Sequence, residues 1–382
     1  MKQQSLNMIT KLVGFDTVSR NSNLELIHYV QGYLAEHGVQ SHLVSSPKGD
    51  KANLFATVGP NVEGGVVLSG HTDVVPVDGQ PWSTDPFQVV QKGERLYGRG
   101  TCDMKGFLAI ALAMVPDMLA KNLKRPIHFA LSYDEEVGCV GAPALIERLS
   151  TDIAKPSAVI VGEPTDMQPI AAHKGVVVLR TTIRGHEAHS SQVQRGVSAV
   201  MTAAKLISFI DGLMADNRAA ADSESPFIPP YTTLHVGVVH GGTAANIISR
   251  DCSFMWDVRA LPGEDWTHYL KRFEDYAANL LPAMQAIAPD ASITTEVIAA
   301  APPLQDQGGA AQALATRLSG CKCCGVVPYG TEGGQFQERG FSVVVCGPGS
   351  IDQAHQPDEY IEVSQVSACE VFLEKLADQL AL

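Results

Sequence analysis

Hydrophobic positions along the chain follow two rhythms. Leu24, Ile27, Val30 and Leu34 recur at helical spacing behind Asn23, a residue type suited to a helix N-cap. Short, nearly continuous apolar runs then appear at residues 53–58, 65–71, 127–132 and 158–162. Each has strand length, and helical stretches at 107–119 and 142–149 stand between them. Strands buried on both sides and alternating with helices predict an α/β sheet covered on both faces.

The rhythm changes near Lys174. Residues 175–183 alternate like a half-exposed strand, and 198–214 reads as a helix. Strands at 232–239 and 252–258, a helix at 265–287 and a strand at 292–299 follow. That β-α-β-β-α-β order is a split βαβ sandwich. The first pattern then returns, with a helix at 309–319, a strand at 342–346 and a terminal helix at 362–380. The prediction is a mixed-sheet α/β catalytic domain over residues 1–173 and 300–382, with an inserted α+β domain over 174–299.

Composition narrows the function. The 28 basic and 41 acidic residues give a net charge of −13, and no Lys/Arg block occurs, so nucleic acid and anionic membrane are excluded as expected partners. The first 20 residues lack an apolar core of the signal-peptide kind, and no run reaches membrane-spanning length. A cytoplasmic protein with free thiols is expected. Its eight cysteines are scattered apart from Cys321, Cys323 and Cys324, whose spacing is not that of a zinc ribbon.

Chemistry gathers at the carboxyl ends of the apolar runs, the edge where open α/β sheets bind ligands. Gly70-His-Thr-Asp-Val-Val-Pro places His71 and Asp73 after one run. Tyr133-Asp-Glu-Glu-Val-Gly and Gly162-Glu-Pro-Thr place Glu135, Glu136 and Glu163 after two others. Asp103 lies in the Gly-rich Tyr97-Gly-Arg-Gly-Thr-Cys-Asp-Met-Lys-Gly, and His355 in Gly347-Pro-Gly-Ser-Ile-Asp-Gln-Ala-His-Gln-Pro-Asp-Glu-Tyr. Taken singly, each is an ordinary polar turn. Together they supply five oxygen and nitrogen ligands, enough for two divalent cations sharing one carboxylate. The donor set suits zinc, with cobalt and manganese as alternatives.

This series of motifs resembles, in order and over nearly the whole chain, the dinuclear zinc metallopeptidase family of acetylornithine deacetylase, succinyl-diaminopimelate desuccinylase and carboxypeptidase G. The late segments 327–334 and 347–360 resemble the acetylornithine deacetylase branch most. The resemblance implies hydrolysis of an N-acyl amino acid, with an inserted lid domain through which the chain forms a homodimer. It implies one metal on His71, Asp103 and Glu163, another on Asp103, Glu136 and His355, and a cis Asp103–Met104 peptide. Glu135 would be the general base, and Asp73 would orient His71. His189, in Gly185-His-Glu-Ala-His-Ser-Ser, matches the lid's hydrogen-bond donor better than His186 does. Asn246 and Arg259 match substrate-carboxylate contacts, although Arg259 also suits a structural salt bridge. Glu332 would meet a cationic side chain such as that of ornithine. Ser249 stands where this family usually has proline.

Overall fold

The computed structural model describes residues 1–382. The chain divides into two compact units: Met1–Ala172 with Leu304–Val326 and Thr331–Leu382, and His173–Pro303 with Val327–Gly330.

The first unit is organised by an eight-stranded sheet. Its strands run Ser41–Ser45, Ala52–Val58, Ile127–Ser132, Val66–His71, Ala158–Pro164, Val343–Gly347, Ile170–His173 and Gly325–Val327 in spatial order. The centre is parallel, with Val66–His71 between Ile127–Ser132 and Ala158–Pro164, and Val343–Gly347 beside the latter. The Ala52–Val58 and Ile170–His173 pairings are antiparallel, so the sheet is mixed as anticipated. Every residue of the four central strands is buried, which explains their apolar runs.

Helix Lys105–Ala113 is likewise buried along its length and packs against the central strands. Close approach there requires Gly162, because a Cβ at this position would meet the Phe107 ring at 2.0 Å. The helix anticipated over 107–119 is in fact two, Lys105–Ala113 and Val115–Ala120, with Pro116 in the first turn of the second. Asn23 does stand at the N-cap of Leu24–Glu36, but its side chain is used elsewhere. Its amide exchanges hydrogen bonds with the Ala52 backbone and donates to Thr72 Oγ1. A small antiparallel sheet of Tyr360–Glu362, Arg95–Tyr97 and Val90–Lys92 was not foreseen.

The second unit has the β-α-β-β-α-β order. Its antiparallel sheet runs Thr233–Gly241, Asp251–Arg259, Val176–Arg184 and Ser292–Ala301. Helices Ala199–Ala219 and Thr267–Gln285 pack against it over a core containing Leu179, Phe254, Trp256 and Phe273. Ser198 caps the first helix by accepting the Met201 N–H at 3.2 Å. A two-residue ladder joins Ala188–His189 to Ile247–Ile248.

No helix is long and apolar enough to cross a membrane. All eight cysteines are free.

Candidate metal centre

Three central strands deliver the first side chains. His71 is the last residue of Val66–His71, Glu163 sits near the end of Ala158–Pro164, and Glu135–Glu136 follow Ile127–Ser132. Asp103 and His355 reach the same place from loops. Asp134 (φ 56°) and His355 (φ 63°) take up left-handed backbone, which non-glycine residues rarely adopt and which is frequent at functional sites. The Asp103–Met104 peptide is cis.

Asp103 stands between two imidazoles. Its Oδ1 lies 3.0 Å from His71 Nε2, and its Oδ2 lies 3.3 Å from His355 Nε2. On the first side Glu163 Oε1 is 3.6 Å from His71 Nε2. On the second side Glu136 Oε2 is 3.0 Å from His355 Nε2. The five residues read as ligands from the sequence are therefore brought together, and His71, Glu135 and Glu163 also converge within 4.8 Å.

The electrostatics show why this cluster fits cations. Burial pushes the Glu135 carboxyl up to about 8 and that of Glu136 up to about 7, and neighbouring carboxylates push the same way. Burial and the charge of Asp103 drive Glu163 well above the usual carboxylate range. Burial also acts to raise Asp103, but hydrogen bonds from His355 and His71 outweigh it and hold the group low. Burial opposes protonation of His71, yet Glu163 and Asp103 still hold that imidazole well above its usual value. Hydrogen bonds to Asp103 and Glu136 carry His355 up to about 10. Four acids, Asp103 and Glu163 buried and Glu135 and Glu136 half-buried, share two imidazoles, and the buried oxygens Glu136 Oε1 and Glu163 Oε1 have no hydrogen-bond partner. Orphaned carboxylate oxygens beside imidazole nitrogens are what divalent cations satisfy, so the residues present fit such ions.

Asp73 does more than the sequence implied. The His71 Nδ1–H donates to the backbone carbonyl of Asp73 at 2.8 Å, fixing the ring so that Nε2 faces Asp103, while the carboxylate Oδ1 stands back at 3.7 Å. The Asp73 carboxylate instead accepts Ser19 Oγ at 2.7 Å and the N–H groups of Glu135 and Glu136 at 3.1 and 3.3 Å. It thus holds the turn that separates the two acids. Cys139 Sγ donates to Glu135 Oε1 at 3.3 Å.

Glu332, read from the resemblance as a contact for a cationic substrate group, lies among buried hydroxyls. It is 1% exposed, and its carboxylate accepts Ser69 Oγ at 2.6 Å and Ser132 Oγ at 2.7 Å. Both oxygens tie Val66–His71 to Ile127–Ser132. In the second unit His189 is exposed and pairs with Ile247, its Nδ1 2.8 Å from Ser191 Oγ, and the next residue, Ser190, donates its N–H to the Asn246 carbonyl at 2.9 Å. Arg259 ends Asp251–Arg259, its Nε 3.4 Å from Asp257 Oδ1.

Sequence reasoning passed over two buried groups beside the ligands, Arg99 and Glu359. The available signal was their position: each is a charged residue four places from a ligand, in Arg99-Gly-Thr-Cys-Asp103 and His355-Gln-Pro-Asp-Glu359.

A mixed α/β sheet with acids and imidazoles gathered at its carboxyl edge defines the class, a metal-dependent hydrolase. The chain belongs to peptidase family M20/M25/M40, whose profile matches residues 67–379. It is 34% identical over 378 residues to an acetylornithine deacetylase of Myxococcus xanthus, covering 96% of this chain and 94% of that protein. An M20 family metallo-carboxypeptidase of Sulfolobus solfataricus has the same fold, with a TM-score of 0.78 at 19% identity and complete coverage of both chains. A dinuclear metal binding peptidase of the family from Bacillus subtilis gives a TM-score of 0.62 at 16% identity, covering 98% of this chain and 97% of that one.

Proposed function

We propose that the protein removes the acetyl group from N2-acetyl-L-ornithine, giving ornithine and acetate. The observation that carries the substrate is the 34% identity to an acetylornithine deacetylase along nearly the whole chain. The chemistry is supported by the two faces of Asp103, each oxygen turned to a different histidine.

In this reading His71, Asp103 and Glu163 hold one divalent cation, and Asp103, Glu136 and His355 hold the other. Zinc is the proposed ion, with cobalt or manganese as substitutes. When bound, the ions supply Lewis acidity that makes water a nucleophile at neutral pH and polarises the acyl carbonyl. Glu135 takes the proton from the attacking water and returns it to the departing amine. Its backbone, held by Asp73, keeps its carboxylate separate from that of Glu136, so one acid carries the proton while its neighbour binds metal. The substrate roles assigned by the resemblance are a planar fork for the carboxylate at Arg259, a further contact at Asn246 and an oxyanion donor at His189.

The reading includes a homodimer formed through the second unit, in the cytoplasm. Its support is an edge strand, Thr233–Gly241, on which Val238 and Val239 are 41% and 50% exposed. Sedimentation at micromolar concentration checks it, and a monomer defeats it.

The deciding experiment is a panel of acetylornithine, succinyl-diaminopimelate, other N-acyl amino acids and dipeptides with defined zinc or cobalt. Highest kcat/KM on acetylornithine is expected. Preference for any other member reassigns the substrate, and absence of turnover with two ions bound removes the enzymatic reading.

A further inference from the structure

The buried ion pair of Arg99 and Glu359 takes no part in the chemistry above, yet it joins the two loops that carry Asp103 and His355. Their side chains are 1% and 0% exposed. Glu359 Oε2 accepts Arg99 Nη1 at 2.7 Å. Its Oε1 accepts three backbone N–H groups, from Gly100 at 3.0 Å, Cys102 at 2.8 Å and Asp103 at 3.0 Å. The Glu359 carbonyl also accepts the Gly98 N–H at 2.9 Å. One acid therefore grips the whole loop that ends in Asp103.

The same pair reaches the other loop. Arg99 Nη2 donates to Gln80 Oε1 at 2.6 Å, and Gln80 Nε2 donates to the His355 carbonyl at 2.9 Å. Glu359 lies four residues beyond His355, just before the Tyr360–Glu362 strand that pairs with Arg95–Tyr97. His71 and Glu163 ride on central strands and are fixed by the sheet. Asp103 and His355 are on loops and need another support.

A buried ion pair is a poor source of stability, because desolvation offsets most of its attraction. What this one supplies is placement. We propose that Arg99 and Glu359 are positioning residues that set the spacing of Asp103 from His355, and so the affinity for the cation these two share. The inference rests on the ligand set proposed above. Arginine is required because its fork engages Glu359 and Gln80 at once, whereas a lysine ammonium has no such planar pair of donors.

The test titrates the metal-stripped full-length protein with Co2+, following visible absorption and heat, alongside thermal melts of the metal-free forms. Arg99→Lys, Glu359→Gln and Gln80→Ala are compared with wild type. Wild type is expected to take up two ions. Arg99→Lys and Gln80→Ala are expected to melt near wild type but to bind the second ion about 10–100-fold more weakly, the usual loss when a ligand's supporting partner is removed. The first ion, which shares Asp103 but is also held by His71 and Glu163 on central strands, should weaken less than the second. Gln80 is only half-buried, so its variant decides the matter even if Glu359→Gln fails to fold. Wild-type affinity for both ions in Arg99→Lys and Gln80→Ala, whatever their melting temperatures, overturns the positioning role. Fewer than two ions on wild type overturns the ligand set itself, and this inference with it.

Discussion

Replacing Glu332 by Gln separates a substrate contact from a structural clamp. Glutamine keeps the shape, and its carbonyl can accept one serine hydroxyl while its amide donates to the other, so Ser69 and Ser132 both retain partners. The structure therefore predicts a change in KM for acetylornithine of less than about twofold, since no hydrogen bond to a charged substrate group, of order 1.5–3 kcal/mol, is being removed. If Glu332 instead held the ornithine ammonium, that same energy would raise KM about 10–150-fold. Glu332→Leu leaves the two hydroxyls with only their long contacts, Ser69 Oγ to the Ala130 carbonyl at 3.5 Å and Ser132 Oγ to the Gly70 carbonyl at 3.4 Å. It should cost about 1–3 kcal/mol of stability, the range for buried polar groups deprived of partners. Steady-state kinetics on acetylornithine and on an N-acetyl amino acid with an uncharged side chain, together with urea melts, make the comparison. A tenfold rise in KM confined to the cationic substrate in Glu332→Gln refutes the clamp.

Glu135→Ala should still bind two cobalt ions by titration while kcat falls about 10²–10⁴-fold, the usual contribution of a positioned proton carrier; near-normal kcat would move the base elsewhere. Gly162→Ala drives a methyl into Phe107 and should destabilise by about 1–3 kcal/mol or more, as overpacked cores do; an unchanged denaturation midpoint would deny that close packing. Burial pushes the His128 imidazole down to about 4. The unfolded chain takes up this proton below about pH 6.5 and the folded chain only below about 4, so stability is full above the upper value and falls as pH drops between the two, by up to about 1.4 kcal/mol per pH unit. Denaturant melts of His128→Gln should lose that part of the slope, and a slope equal to wild type counts against it.

The sheet and its ligands were legible because they obey short-range rules. Short apolar runs of strand length separated by helical stretches mark strands buried on both faces, and polar residues directly after the parallel ones lie at one edge. The weaker elements obey no such rule. Gly325–Val327 and Ile170–His173 are edge or near-edge strands of three and four residues, too brief to show a period. The break between Ala113 and Val115 was hidden by an apolar stretch that continues on both sides of Met114, with Pro116 its one visible mark.

Asp73, Glu332 and Glu359 show where legibility ends. All three are buried acids near the ligands, and a sequence reading naturally offers them to substrate or metal. The structure gives their oxygens instead to backbone N–H groups, hydroxyls and a guanidinium lying 54 to 263 residues away in sequence. Carboxylates accept several hydrogen bonds at once, and that makes them suited to fixing loops whose N–H groups have no ladder partner. Residue type and spacing reveal a ligand because the cation needs a particular donor set. They cannot reveal a clamp, because its partners are main-chain atoms that every residue carries. A site crowded with acids is thus two populations: those turned inward toward shared imidazoles, with oxygens left unsatisfied, and those turned outward, fully hydrogen-bonded to the fold. The orphaned oxygens of Glu136 and Glu163 mark the first group, and the complete partner sets of Glu332 and Glu359 mark the second.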